Sequence, residues 1–373
     1  MKIALIVPGG VDRSGTRKVI PCLLWLIERL ATGDEVHVFA LQQEAKPASW
    51  ELLGARVHNA GSPPTRLRAV GQLLAEHRRA PFDVAHAWWA GGPGTVAAMF
   101  KALTGVPTVL TLPGGDLVAI RDIGYGGQLS WRSRASIRLA LKAADRIVVP
   151  SDWMRAQAAD YGFDSITIPL GVALDRWPRA KPRRREPGAP LRLLHVANLN
   201  SVKDQTTLLT SMRLIREQGL EFQLDVVGFD TLDGAIQRRT IDLGLERQVT
   251  YHGFLPQGQM RPLVERAHMM VVSSRHEGVP IAALEAAVAG IPTVGTAVGI
   301  IADWAPDAAV AVPVAKPEVL GEAIVALAGD EDRRLLLAER AQALAVAQDA
   351  DVTAERTRGL YRTLCDPRQR RVG

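Results

Sequence analysis

Short apolar runs alternate along the chain with longer amphipathic stretches, and the alternation starts afresh past the middle. Lys2–Pro8 (KIALIVP) reads as a buried strand, followed by a helix from about Arg17 to Leu30. Glu35–Leu41, Ala55–His58, Asp83–Ala87 and Val106–Leu112 predict further strands, with a basic amphipathic helix over Arg66–Arg79. Ala144–Ser151 and Ile166–Leu174 close this first series. The second begins at LRLLHVANL and continues through Gln223–Val227, Val249–Tyr251 and Met269–Val272, with helices expected over Leu320–Leu327, Asp332–Leu344 and Thr353–Leu364. Strand and helix in this rhythm predict parallel α/β sheets. Residues 178–190 (PRAKPRRREPGAP) combine proline and charge without apolar periodicity and read as a linker. The two halves share rhythm, not sequence.

One stretch organises the rest: residues 269–296, MMVVSSRHEGVPIAALEAAVAGIPTVGT. Met269–Ser273 has strand character, Ser274–Gly278 is turn-prone, and Ile281–Val288 reads as a helix body with Pro280 as its first residue. Gly290 and Pro292 end that helix, and Ile291–Val294 returns as a strand. A helix N-terminus at a sheet's carboxyl edge offers free amides and about half a positive charge, which suits phosphate. Pro280 has no N–H, so Gly278, Val279 and Ile281 are the expected donors. Glu277 and Glu285, with seven residues between them, bracket this corner. Carboxylates do not hold an anion; they accept hydrogen bonds from hydroxyls on either side of a diphosphate, as a nucleotide sugar has. Taken singly, each Glu is also what an ordinary helix carries in its first turn or on its exposed face.

The segment Ser274–Glu285, with its E-x7-E spacing and the trailing AAVAGIPTVGT, resembles the donor-binding signature of GT-B retaining glycosyltransferases of family 4. The resemblance covers nearly the whole chain. It implies an α/β fold of two Rossmann-like domains facing across a cleft, with a C-terminal helix crossing back to the N-terminal domain. On that reading residues 1–177 plus 352–373 bind the acceptor, 178–190 link, and 191–351 bind a nucleoside-diphosphate sugar. The implied reaction moves a hexosyl group to an acceptor hydroxyl with retention, with domain closure excluding water and no cofactor or metal required. The acceptor, whether saccharide, lipid or small molecule, stays open, as does the oligomeric state.

Residue roles follow from the same resemblance. HVANLNSVKDQTTLL is similar to the donor-phosphate motif: Lys203 matches its lysine, but Asn198 stands where the family has arginine. Either Lys203 carries that charge alone or a second cation helps, for which Arg275 and Arg247 are the candidates. YHGFLPQGQM resembles the loop that cradles the base, with Gly253 allowing the turn and Phe254 and Leu255 as contacts. The glycine loop after the first strand implies Gly10, Gly15 and Thr16 near phosphates and acceptor, with Gly15, beside the helix start, the better placed. His86 takes the role of a strand-end histidine beside the reacting sugar, although a lone histidine is as often a satisfied core residue. The expected catalytic set is therefore His86, Glu277 and Lys203. Pro113 replaces a frequent family histidine, and Asp116 positions an acceptor hydroxyl or caps a turn. Asp122–Arg134 is expected to be a mobile acceptor-facing lid, and Gly295–Ile301 a loop closing over the donor.

Composition narrows the partners. Two cysteines, Cys22 and Cys365, argue against a disulfide framework and for a reducing compartment. The opening MKIALIVPGG is too short in apolar residues for a signal peptide, and no run is long enough to span a bilayer, so a cytoplasmic location is expected. The net charge of +6 raises nucleic acid as a partner, but no aromatics interleave the basic runs at Arg176–Arg185 and Arg368–Arg371. No nucleic-acid partner is therefore expected, while peripheral contact with an anionic membrane at its inner face stays open. The weighed alternatives are a catalytically weak nucleotide-sugar-binding subunit, motivated by Asn198 and Pro113, and a sugar-nucleotide epimerase on the same architecture.

Overall fold

Lys2–Val7 (β1) has all six residues buried, the mark of a central parallel strand covered on both faces. It pairs in parallel with β2 (Glu35–Ala40). Around this pair the first sheet adds β3 (Ala48–Leu52), β4 (Ala55–Asn59), β5 (Val84–Trp88), β6 (Thr108–Thr111), β7 (Arg146–Val149) and β8 (Ile166–Thr167). Its order is β3-β4-β2-β1-β5-β6-β7-β8, parallel except for the β3–β4 hairpin. β3 was not expected. It is a half-exposed edge strand whose polar ASWEL sequence lacks a buried face to announce it.

The computed structural model describes residues 1–366, so the basic run Arg368–Arg371 lies outside the described residues. Two compact units share the chain: Met1–Ala173 together with the chain from Gln348, and Leu174–Ala347. In the first, α1 (Pro21–Ala31) and the C-terminal helix (Ala350–Cys365) pack on each other. α2 (Thr65–Arg79), α3 (Gly92–Thr104), α4 (Trp131–Ala143) and α5 (Asp152–Asp160) share the other apolar core. The C-terminal helix is bound to this unit by specific contacts. Arg358 pairs with Asp34 at 2.9 Å, and the Thr353 hydroxyl donates to the Pro169 carbonyl at 2.7 Å. Gly171 lets it approach: a Cβ there would lie 2.0 Å from the Asp349 backbone.

The second unit contains β9 (Leu191–Val196), α6 (Gln205–Glu217), β10 (Phe222–Val227), α7 (Ala235–Asp242), β11 (Val249–Tyr251), α8 (Gln257–Arg266) and β12 (Met269–Val272). It continues through α9 (Ile281–Val288), β13 (Thr293–Thr296), α10 (Ile300–Trp304), β14 (Ala309–Val312), α11 (Pro317–Gly329) and α12 (Glu331–Ala347). The strand order is β11-β10-β9-β12-β13-β14, all parallel. In both sheets, successive strands build outward one way and then reverse. The reversals fall between β1 and β5 and between β9 and β12, and ligands of such sheets bind beyond the carboxyl ends at that point.

Residues 178–190 run along the second unit. Arg179 donates to Gln342 at 2.9 Å, Arg184 pairs with Asp332 at 2.5 Å, and the Arg185 amide donates to Glu331 at 2.6 Å. Glu331 and Asp332, which open α12, are the acidic counterpart of this basic run.

Candidate functional site

In the second unit, the loops leaving β9 and β12 meet at the strand-order reversal. Asn200 and Asp204 hold the first loop: Asn200 Oδ1 accepts the Lys203 amide at 3.2 Å, and Asp204 Oδ1 accepts Thr207 N–H at 3.2 Å, capping α6. Two bonds stitch these loops together, and a third ties the end of β13 to the second loop. The Arg275 amide donates to the Val202 carbonyl at 2.7 Å, Ser273 Oγ to the Lys203 carbonyl at 2.8 Å, and Thr296 Oγ1 to the Ser274 carbonyl at 2.6 Å. The side chains converge within this frame. Lys203 Nζ pairs with Glu277 Oε1, which also accepts Ser274 Oγ–H at 2.7 Å. The β13 loop closes against the same corner: Gly299 has φ +52°, and a Cβ there would lie 2.2 Å from the Gly278 carbonyl oxygen.

Helix α9 begins at Ile281 with Pro280 as an N-cap that makes no side-chain bond. The amides of Gly278, Val279 and Ile281 have no acceptor among the described residues. A cation, a carboxylate and open amides at a helix N-terminus thus share one corner. Glu285 lies one helical turn further on, 5% exposed, with Oε1 accepting from Gln257 Nε2 at 2.8 Å. Burial pushes its carboxyl up to about 7, and the Gln257 bond opposes that rise. Trp177 Nε1 donates to the Glu285 carbonyl at 2.7 Å and holds this turn.

On the other side of β9, Asn198 Oδ1 accepts the Phe229 amide at 3.1 Å. Phe229 stacks on Phe254 with ring centroids 5.0 Å apart, and Gly253 turns with φ +64° beside it. Phe229 is half exposed, an aromatic face at the carboxyl edge that sequence reading passed over. Its signal was the polar GFD break directly after a buried strand. Ser274 and Gln257 were likewise missed as partners of the two glutamates, because a hydrogen-bonding serine or glutamine is indistinguishable in sequence from a solvated one. Of the two arginines considered for a second cation, Arg275 sits on the β12 loop. Arg247 precedes β11 at the amino edge, on the opposite side of the sheet, and is excluded.

In the first unit, three expectations change. His86 is not at the end of β5 but in its middle, 2% exposed. Its Nδ1 lies 2.6 Å from the Tyr361 hydroxyl and its Nε2 2.7 Å from Thr111 Oγ1, so neither ring nitrogen is left for a ligand. Burial pushes it down to about 3, keeping it neutral. It is a core histidine joining β5, β6 and the C-terminal helix. α1 starts at Pro21 rather than Arg17, because Val11 and Val19 form an antiparallel bridge and Ile20 N–H returns to the Gly10 carbonyl at 3.0 Å. Gly15 and Thr16 therefore stand at a loop tip, not beside the helix start. The Gly10 amide is already taken by Gln43 Oε1 at 2.7 Å.

The third change concerns Asp116 and the segment after it. Asp116 is buried, and its Oδ1 accepts the Ala90 amide at 2.9 Å, tying the β6 loop to the β5 loop. Burial pushes its carboxyl up to about 6 against the backbone bonds that lower it, and Oδ2 has no partner. It sits inside the turn Gly115–Leu117 rather than capping it, and no open carboxylate faces outward. The expected lid is stapled down: Gly127 N–H donates to the Gly115 carbonyl at 2.8 Å and Gln128 Nε2 to the Asp116 carbonyl at 2.7 Å.

Two sheets of this order, with Lys203, Glu277 and the start of α9 meeting at the second reversal and a C-terminal helix packed into the first unit, define the GT-B class. Solved structures show the same fold. Sucrose-phosphate synthase from Thermosynechococcus elongatus superposes with a TM-score of 0.81 at 19% identity, covering 98% of this chain and 99% of that one. Anabaena HepE in complex with UDP and glucose gives 0.75 at 16% identity, covering 97% and 100%. The glycosyl transferase 4-like domain model matches residues 19–171, and the glycosyl transferases group 1 model matches residues 178–344. The chain belongs to the GT-B glycosyltransferases of family 4 type.

Among curated relatives, the D-inositol 3-phosphate glycosyltransferase of Corynebacterium jeikeium is 27% identical over 96% of this chain and 93% of its own. The amylovoran biosynthesis glycosyltransferase AmsK of Erwinia amylovora is 29% identical over 29% of this chain. That match spans only 28% of AmsK's length. Among the described residues no helix is long and apolar enough to cross a membrane, and no group of three His, Cys, Asp or Glu is arranged to hold a metal ion.

Proposed function

We propose that this protein transfers a sugar from a nucleoside-diphosphate sugar to an acceptor hydroxyl, with retention at the anomeric carbon. The observation that carries the reading is the corner where Lys203, Glu277 and the open amides ahead of α9 converge at the β9/β12 reversal. Lys203 and the amides stabilise the charge that grows on the departing diphosphate. Arg275 lies on the same edge and stands in for the charge that Asn198 does not bring. Glu277 exchanges its Lys203 and Ser274 partners for hydroxyls of the transferred sugar, and Glu285 accepts from the ribose. The stacked pair Phe229 and Phe254 receives the base. The diphosphate's charge is met by protein cations and amides, so the proposal includes turnover in the presence of EDTA. Retention and the hexosyl type rest on the family alone. The domain assignment proposed here puts acceptor binding on the first unit and donor binding on the second.

The Anabaena relative was solved with UDP-glucose, which makes UDP-sugars the first donors to try. The test is a thermal-shift panel of UDP-, GDP-, ADP- and dTDP-sugars on the wild type, Lys203→Ala and Glu285→Ala. A ligand far above its dissociation constant stabilises by about 2 to 4 kcal/mol, a readable shift. One nucleotide should stabilise the wild type and neither variant. No shift with any nucleotide, or equal shifts in the variants, removes the donor site proposed here.

A further inference from the structure

Basic side chains line a cavity in the second unit, at the end of the sheet away from the donor corner. The corner lies beyond the carboxyl ends of β9 and β12. The cavity opens at the amino ends of β9, β12 and β13, where Arg192, His268 and Ile291 stand. The six residues of β9 set the two about 20 Å apart. The cavity encloses about 320 Å³, within the roughly 300–1,000 Å³ of small-molecule sites. One wall is the basic segment 181–190, which is fixed in place. Gly290, with φ +77°, admits its close approach: a Cβ there would lie 2.6 Å from the Pro182 nitrogen. Arg334, 2% exposed, donates to the Arg183 carbonyl at 2.5 Å, to the His268 carbonyl at 3.0 Å and to the two Glu331 oxygens at 2.6 and 2.8 Å.

The cations of this cavity are only partly matched. Arg184 pairs with Asp332, Arg266 with Asp225 and Arg334 with Glu331. Among the described residues, the side chains of Lys181, Arg183 and Arg192 have no carboxylate or hydrogen-bond partner. Against these three stands one unpaired acid, Glu186, so the cavity keeps a positive surplus. His268 adds a neutral donor. Its Nδ1 accepts the Arg192 amide at 3.0 Å, which leaves the proton on Nε2. Burial, then the arginines around it, push it down to about 4, so it stays uncharged. Nor are the cations needed by the end of α9, whose Val288 carbonyl already accepts from the Ala180 amide at 3.2 Å and Gln342 Nε2 at 2.8 Å. Free guanidinium and ammonium groups on a concave wall suit phosphate oxygens, and a singly charged anion would leave cations unmatched. No Phe, Tyr or Trp lines the space to stack a base. We propose that this cavity binds a diphosphate group, carried by inorganic pyrophosphate or by a nucleotide. The sugar-transfer reading is not required for it.

The test is isothermal titration calorimetry with pyrophosphate, UDP and sulfate on the wild type and on Lys203→Ala, which removes the cation of the donor corner. Lys203→Ala should still bind pyrophosphate, and sulfate at least about tenfold more weakly. In that chain, adding Arg183→Gln/Arg192→Gln should weaken pyrophosphate about 100-fold, at about tenfold per arginine. Ala189→Glu, which sets a carboxylate on the wall and removes no cation, should weaken it too. Arg238→Gln/Arg247→Gln, two cations of the same unit outside the cavity, is the control and should match its parent. Retained melting temperatures show that the variants fold. UDP binding that Arg183→Gln/Arg192→Gln abolishes would make the nucleotide a carrier, and pyrophosphate binding without UDP binding would make it the free anion; both uphold the site. No pyrophosphate binding, equal binding after Arg183→Gln/Arg192→Gln, sulfate as tight as pyrophosphate, or an equal loss in the control would each overturn it. Pyrophosphate binding in the wild type that Lys203→Ala alone abolishes would place the anion at the donor corner, so that this proposal falls and the sugar-transfer reading stands.

Discussion

Glu285→Gln should stabilise the second unit at alkaline pH and leave it unchanged in acid. Glu285 is 5% exposed, and burial lifts its carboxyl from the ordinary 4.5 to about 7. Between those values the folded protein keeps a proton that the unfolded chain has released. The folded state therefore binds more protons, and stability falls as pH rises through this window, levelling off above about 7. The rise corresponds to about 3 kcal/mol between the two protonation states. Glutamine carries no titrating group and retains the size needed to reach Gln257. Urea unfolding of both proteins, compared between about pH 5 and about pH 8, isolates the residue, since every other titrating group cancels in the difference. The variant's advantage should grow from near zero to about 2 or 3 kcal/mol across that range. A difference that stays constant with pH would refute the buried, protonated carboxyl and with it the Gln257 contact as the resting state.

Lys203→Ala should lower turnover by roughly 100- to 1,000-fold, as loss of one charge-stabilising donor does, whereas Arg247→Ala at the opposite edge should leave it unchanged; steady-state rates distinguish the two. Tyr361→Phe strands His86 Nδ1 in the core and should cost the first unit about 1 to 3 kcal/mol in denaturant while the nucleotide-induced thermal shift persists. Were His86 a reacting group instead, turnover would fall and stability would not. Gly171→Ala drives a methyl into the Asp349 backbone and should cost about 1 to 3 kcal/mol, read as a lower urea midpoint; an unchanged midpoint would mean the C-terminal helix is not held there.

Legibility differed from element to element for physical reasons. α9 matches its expected body residue for residue because proline at its start and glycine past its end act within the segment itself. β12 matches for the same kind of reason: a buried parallel strand is a continuous apolar run. The start of α1 was misplaced by four residues, since the bridge that delays it joins Val11 to Val19 and has no periodic signal. His86 could not be assigned from its neighbours. Its environment is Tyr361, 275 positions away, and Thr111.

What the sequence alone determined is the architecture: two doubly wound α/β sheets and the punctuation of α9. These follow from local patterns of burial, capping and charge. Tertiary structure decided which charges meet. It placed Lys203 against Glu277 across 74 positions and buried Glu285 until its carboxyl keeps a proton near neutrality. It put Arg247 on the opposite edge of the sheet from Lys203. Electrostatic partnership depends on distance and dielectric in space, and neither is written in the order of residues along the chain.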